Sequence, residues 1–179
     1  MIRRLVFLLF SPILSWANPA LVKEMKPGVF YIEDGEGGIE EFGIGDSKWN
    51  LYKHQDGTWE FVVQVKTDKD IKRSESKEEV FGNSKPSFNA TAILKPSETT
   101  LKKGQILTQK ESYDKNRDLN LSWFTYGGGG SLEHMKIELL EAKEDILELK
   151  VTGYFEGDKE KIALRARFKK DPELKRGVQ

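Results

Sequence analysis

The sequence SLEHMKIELLEAKEDILELKVTGYFEGDKEKIALRARFK, residues 131–169, contains apolar-patterned runs separated by short charged breaks. Within each run apolar residues recur at every second position, which in a β-strand places them on one face. Each run therefore offers an apolar face to a common core, and the stretch predicts an antiparallel meander. The alternating sets are Met135, Ile137 and Leu139; Leu147, Leu149 and Val151; and Ile162, Leu164, Ala166 and Phe168.

A helix is the alternative for residues 132–150, whose apolar positions also step by three and four. Against it, the following residues 151–155 are rich in β-branched and aromatic side chains and include a glycine, which a helix disfavours. His134 also stands three positions after Ser131, where a capping box would carry a carboxylate or an amide. The strand interpretation is favoured. The helical stripe consists of Leu132, Met135, Leu139, Ala142, Ile146 and Leu149.

The chain before this meander reads as further short strands separated by turn residues. The clearest hairpin spans residues 48–66, with Asp56-Gly57 at its turn, because glycine tolerates the positive φ that a tight primed turn demands. Strand parity then directs Tyr52, His54 and Glu60 outward. The residues predicted to face the core are Trp49, Leu51, Trp59, Phe61, Val63 and Val65.

Two segments interrupt this alternation of strands and turns. Residues 68–79 contain nine charged residues in twelve, with only Ile71 apolar, and predict a solvated loop or a frayed helical turn. The tract Gly127 to Gly130 predicts a flexible connection, because ordering four glycines is entropically costly. Between these segments Leu119, Leu121 and Trp123 alternate as core-facing residues of a strand, which sends Phe124 and Tyr126 outward.

The strand pattern as a whole predicts an all-β fold, an antiparallel β-sandwich of about ten short strands. A closed β-barrel is the alternative. The destination of Trp49, Trp59 and Trp123 distinguishes the two folds. In a sandwich these rings fill the core between sheets, whereas in a barrel they can line a cavity for an apolar ligand.

The N-terminal residues 1–17 have the pattern of a secretory signal peptide. Arg3 and Arg4 precede an apolar run, and Ser15-Trp16-Ala17 offers small residues where a signal peptidase cleaves. The run is too short to span a membrane as a helix, and no later apolar run reaches that length. We therefore expect a single β-rich domain over residues 18–179, exported to the periplasm or the medium, with no membrane anchor after cleavage.

Composition narrows the class of protein further. The chain has no cysteine, so neither disulfides nor a lipid-modified cysteine are available, which fits a bacterial periplasm or medium. Lys+Arg and Asp+Glu balance at 29 each. Nucleic acids and anionic membranes select proteins with a basic field, so neither is expected as a partner.

Residues suited to catalysis are few. His54 and His134 are the only histidines, and no Gly-x-Ser-x-Gly elbow is present to supply a nucleophile. Adjacent carboxylates in a strand point to opposite faces, so such pairs do not flank a glycosidic bond by themselves. We therefore expect a protein that is not an enzyme. The adjacent carboxylate pairs are Glu33/Asp34, Glu40/Glu41 and Glu78/Glu79.

One segment resembles the first half of an EF-hand calcium loop, because Asp114, Asn116 and Asp118 place oxygen side chains at alternate positions. Its sixth position is Leu119 rather than glycine, and its twelfth is Thr125 rather than a bidentate glutamate. A β-turn rich in Asp and Asn explains the residues more simply. Neither a metal nor a cofactor is expected.

The outward aromatic residues Tyr52, His54, Phe124 and Tyr126 are the candidate ligand-binding residues. Aromatic rings stack on sugars or fill a partner's pocket. The sequence thus predicts an exported, non-enzymatic binding or interaction module for a protein or glycan partner. The alternatives are a β-barrel carrier of a small apolar ligand and a carboxylate-dependent, glycan-active enzyme. A structural alternative is that a second layer, such as residues 68–79 folded back, covers these rings.

Overall fold

A computed structural model describes residues 25–33, 37–72, 85–94, 100–109, 119–125, 129–131, 134–154 and 161–175. The predictions for residues 1–17, 73–79 and 114–118, and for Tyr126, Gly127 and Gly128, fall outside these ranges and stay predictions, as do those for the side chains of residues 119–125 and His134, where only the backbone is described. The same holds for Asp34 and for the pair Glu78/Glu79.

The described chain consists of strands joined by turns, and no helix occurs in these ranges, so the all-β prediction is confirmed. Residues 134–154 form two strands with a buried residue at every second position of the second, and the helical alternative for 132–150 is wrong there. The strands are β1 (Val29–Glu33), β2 (Ile39–Lys53), β3 (Trp59–Lys72), β4 (Ser87–Leu94), β5 (Ile106–Gln109), β6 (Leu119–Thr125), β7 (Gly129–Ser131), β8 (His134–Ala142), β9 (Ile146–Tyr154) and β10 (Lys161–Lys170).

All the strands belong to one sheet, in the order β5-β8-β9-β10-β1-β2-β3-β4-β6-β7. Neighbours in this order run antiparallel; in addition, the end of β10 pairs in parallel with β2 through Lys169 to Lys48 and Lys170 to Trp49. The sheet curls until β5, at one edge, contacts β6 near the other. The result is a sheet nearly closed into a barrel, which corresponds to the alternative architecture rather than to two separate sheets.

The concave face of this sheet encloses the core. Large side chains from several strands meet there and are almost fully buried, and the predicted core residues of the meander all lie among them. Trp49 belongs to this core, with its ring centroid 6.4 Å from that of Phe61, and Trp59 packs against it half-buried. Burial of this apolar surface stabilises the disulfide-free fold. The core phenylalanines are Phe30, Phe42, Phe61, Phe88 and Phe168.

The β2–β3 hairpin is the longest pairing and has the predicted core-facing residues, but its turn is longer than the predicted two-residue primed turn, since residues 54–58 lie between the last paired residues. Lys53 pairs with Trp59, and Gly57 adopts the positive φ of 89° that the turn requires. The predicted inner positions of both strands do face the core. The apolar alternation of the two strands thus predicts their faces, whereas the Asp-Gly dipeptide predicts the place of the turn but not its length.

Two predicted irregular segments are partly strand instead. β3 continues through Lys72, so the first part of the charged segment is extended and pairs, through bulges, with residues 41–44 of β2. Side chains 68–72 are exposed, and charge therefore did not oppose backbone pairing there. Gly129 and Gly130 lie in β7, paired with β6, so half of the glycine tract is also a strand.

Candidate functional site

Tyr52 and His54 lie on the outer face of the hairpin end, as the parity of β2 predicts. Leu51 packs against the core, so Tyr52 faces the opposite side, and His54 follows immediately after the end of β2. Their rings lie 5.1 Å apart between centroids, inclined at 58°. The His54 side chain retains 39% of its accessible surface, and Tyr52 is half-buried, so solvent reaches both residues.

Glu60 joins these two residues, and sequence analysis did not single it out. It pairs directly with Tyr52 in the hairpin register, on the outer face of β3. The Tyr52 hydroxyl donates to Glu60 Oε2 at 2.7 Å, and His54 Nε2 lies 2.7 Å from the same oxygen. Although it is on the outer face, Glu60 is only 2% exposed. We call these three residues the Tyr52–His54–Glu60 cluster.

The second carboxylate oxygen of the cluster, Glu60 Oε1, is buried and has no hydrogen-bond partner. An unsatisfied buried carboxylate oxygen is costly, because burial removes the water that would otherwise bind it. Thr91 Oγ1 is a second buried oxygen without a partner. Thr91 lies opposite Val62 and Glu60 lies opposite Ile93, so Thr91 and Glu60 occupy diagonal positions on the outer face of adjacent strands.

The turn that carries His54 is well defined. The His54 amide donates to the Thr58 carbonyl at 2.8 Å, and the Gly57 amide donates to the His54 carbonyl. The Thr58 hydroxyl and amide both donate to Asp56 Oδ1, and these bonds hold the pKa of the Asp56 carboxyl below its usual value. The backbone at His54 is thus held in place while its ring remains half-exposed.

The C-terminal residues 171–174 lie along the outer face of β2, next to the cluster. Asn50, two positions before Tyr52, donates from Nδ2 to the carbonyls of Pro172 and Leu174 at 3.1 and 2.9 Å. The Asp171 amide donates to the Trp49 carbonyl, and Lys48 Nζ lies 3.1 Å from Asp171 Oδ2. The Lys48 contact lowers the pKa of the Asp171 carboxyl, and the Asp171 contact raises the pKa of Lys48.

Replacing Asn50 by Ala is expected to release this C-terminal segment. The side chain is 4% exposed and satisfies two carbonyls at once, so its loss should cost about 1–3 kcal/mol of unfolding free energy. Hydrogen exchange at the Asp171 amide should accelerate in the variant. A matched change, Lys53→Ala on the same strand, should leave both quantities unchanged, and protection of Asp171 in the Asn50 variant would contradict the expectation.

The strand that carries Phe124 does not have the predicted parity throughout. β6 pairs Phe124 with Phe88, a core residue, and pairs Trp123 with Asn89, on the outer side of β4. An irregularity between Thr91 and Ala92 inserts an extra β6 residue at this point, which reverses the faces beyond Leu119. By register, position 124 therefore lies opposite a core residue of β4. The side chains of residues 119–125 are not described, and the binding roles of Phe124 and Tyr126 stay predictions.

The other carboxylates of the described sheet behave differently from Glu60. Glu33 is 7% exposed and binds Lys161 Nζ at 2.9 Å, and Glu148 binds Arg165. Glu40 and Glu41 lie on opposite faces of β2, as expected for adjacent strand residues, because they pair with Ile32 of the core and with Tyr31 of the outer face. None of these forms a pair with Glu60.

Within the described ranges, no group of three or more His, Cys, Asp or Glu residues is arranged to hold a metal ion. No helix among those residues is long and apolar enough to cross a membrane. The chain matches no protein-family model, no curated protein and no solved structure. The geometry of the Tyr52–His54–Glu60 cluster is therefore the main indication of function.

Proposed function

We propose that the protein is an exported, non-enzymatic binding module and that the Tyr52–His54–Glu60 cluster is its ligand site. The observation that carries the proposal is the state of Glu60: one oxygen is held by two aromatic side chains and the other is buried without a partner. A protein that gained only stability from this position would favour an apolar residue there. A bound partner that supplies a hydrogen-bond donor would satisfy the free oxygen.

The neighbouring rings suit recognition of a protein or a glycan. Tyr52 and His54 combine apolar surface with polar atoms and few rotatable bonds, so ordering them on a partner costs little entropy. The turn already fixes the His54 backbone, and β2 holds Tyr52. The export part of the proposal rests on the signal-like pattern of residues 1–17.

Binding fits this site better than carboxylate-dependent hydrolysis does. A glycosidase requires two carboxyl groups on either side of the scissile bond. The cluster contributes one carboxylate, and Asp56 in the adjoining turn is engaged by Thr58. Glu33 and Glu148 are each tied to a basic side chain, and Glu40, 2% exposed like Glu60, pairs with Ile32 on the core face of the sheet.

Replacing Tyr52 by Ala tests the proposed function. Wild-type protein screened against arrays of glycans and of peptides is expected to yield a ligand whose affinity falls by about tenfold or more in the variant, the effect of losing one well-packed aromatic contact. Lys53→Ala, at the adjacent exposed position, is the matched control and should bind as wild type. A ligand that binds both variants equally, or the absence of any ligand on either array, would contradict the proposal.

A β-barrel carrier of a small apolar ligand is the second candidate, because Trp49 Nε1 is buried in the core without a hydrogen-bond partner. An apolar ligand with one acceptor atom inside the curled sheet would satisfy that donor. Mass spectrometry of protein purified under native conditions distinguishes the candidates. A stoichiometric small apolar molecule would favour the carrier, and its absence would favour the outer site.

A further inference from the structure

The charge of the Tyr52–His54–Glu60 cluster indicates what its ligand carries. Two other carboxylates of the described sheet that are withdrawn from water hold a permanent cation: Glu33 holds Lys161 and Glu148 holds Arg165. Within the part of the chain that the structure describes, the only charge-capable partner of Glu60 is His54, which is charged only when protonated. Because a buried carboxylate without a counter-charge is costly, a cationic ligand gains most at this position.

The geometry of the carboxylate narrows the choice of cation. Oε2 already accepts from the Tyr52 hydroxyl and contacts His54 Nε2, so Oε1 alone is available. A guanidinium fork gains its advantage by binding both oxygens of a carboxylate at once. An ammonium group is a compact point charge that needs one acceptor. The cluster therefore favours an ammonium over a guanidinium.

The surroundings of Oε1 set the shape of the group that carries the ammonium. Ile93 lies directly opposite Glu60, and the buried Val62 is the next residue on the same face of β3. Because Val62 is only 3% exposed, the space beside it suits a slender aliphatic stem, of the kind that lysine packs on apolar surfaces while its charged end reaches a carboxylate.

We infer that the cluster binds a terminal primary ammonium on an unbranched aliphatic stem, the chemistry of a lysine side chain on a protein partner. The inference rests on the proposed function and assigns the class of ligand to that site. A bound ammonium balances the charge of Glu60 and donates the missing hydrogen bond to Oε1. A free aliphatic diamine carries the same group, and the experiment separates the two sources.

Nuclear magnetic resonance of the histidine rings provides a direct assay, because His54 and His134 are the only histidines of the chain. Protein purified after expression of the full-length chain is titrated with n-butylammonium chloride, with 1-butanol as the neutral isostere and sodium chloride at matched ionic strength. The Cε1–H signal of His54 should shift saturably with n-butylammonium only. The signal of His134 serves as the internal reference and should stay in place.

Three further titrations test the charge and the geometry. Glu60→Gln should abolish the saturable shift, whereas Glu33→Gln, at a carboxylate that already has its cation, should preserve it. n-Butylguanidinium should bind about tenfold more weakly than n-butylammonium, the equivalent of about one charge-assisted hydrogen bond. Tyr52→Phe frees a lone pair on Oε2 and should narrow this preference, a readout that does not depend on the folding of the Glu60 variant.

The results of these titrations distinguish a failure of the ammonium ligand from a failure of the binding site itself. An equal response to 1-butanol, an undiminished response in Glu60→Gln, or tighter binding of n-butylguanidinium in the wild type would overturn the inference. Binding of a neutral or amino-sugar glycan that depends on Tyr52, with no response to n-butylammonium, would overturn it and leave the proposed function standing. A lysine-containing tripeptide amide that binds more tightly than 1,4-diaminobutane supports the protein source, and the reverse order overturns that source.

Discussion

Replacing Phe124 by Ala is expected to lower the free energy of unfolding by about 3–5 kcal/mol, the usual cost of truncating a core phenylalanine. The reason is the strand register. Phe124 pairs with Phe88, which is 0% exposed and belongs to the core, so position 124 lies on the core face of the sheet. Chemical denaturation followed by tryptophan fluorescence and by circular dichroism measures the change.

The neighbouring variant Trp123→Ala is the matched control. Trp123 pairs with Asn89 on the outer side of β4, so its truncation should cost clearly less than that of Phe124. A cost below about 1 kcal/mol for Phe124→Ala, a value typical of surface substitutions, would show that position 124 does not face the core. Phe124 would then return to the ligand surface that the unbroken sequence alternation predicts for it.

The reversal at β6 shows why alternation alone could not place this strand. Leu119, Leu121 and Trp123 alternate without interruption in the sequence. The bulge opposite Thr91 and Ala92 is a property of the pairing between two strands, so one strand's own sequence does not reveal it. The faces of the β2–β3 hairpin were predictable, in contrast, because the apolar runs of both strands agree on which residues face the core.

Glu60 shows a different limit of sequence-based prediction. Parity correctly assigned it to the outer face, and the hairpin register alone places it opposite Tyr52. Its burial could not be predicted, because it depends on what covers the outer face of β2, β3 and β4. Asn50 illustrates this, since its side chain is buried by residues 172–174 from the other end of the chain.

The extended end of β3 shows that a highly charged composition does not exclude a strand. Charged residues predict a loop when their side chains must be solvated, yet strand pairing uses only the backbone. Lys69, Asp70 and Lys72 satisfy both conditions, because they pair with β2 while their side chains stay exposed. Glycine permits this close pairing, since a Cβ at Gly45 would lie 2.7 Å from Asp68 Cβ.

Replacing Glu60 by Met is expected to abolish binding of n-butylammonium and at the same time to stabilise the protein. Methionine is unbranched and can pack against Val62 and Ile93, while removal of the carboxylate eliminates a buried oxygen that has no partner. Tyr52 and His54 are half-exposed residues, so their polar atoms can bind water instead. The gain should be about 1 kcal/mol, or roughly 2–4 °C in the unfolding midpoint.

Glu33→Met is the matched control for the change in stability. Glu33 has its cation, so the same substitution breaks an existing pair and should lower stability, by up to about 1 kcal/mol because Lys161 is partly exposed. Opposite signs at the two positions are expected if Glu60 is retained for a ligand rather than for the fold. A loss of about 3 kcal/mol or more in Glu60→Met, the cost of breaking a buried polar network, would instead make Glu60 a structural residue whose two aromatic partners exist to satisfy it.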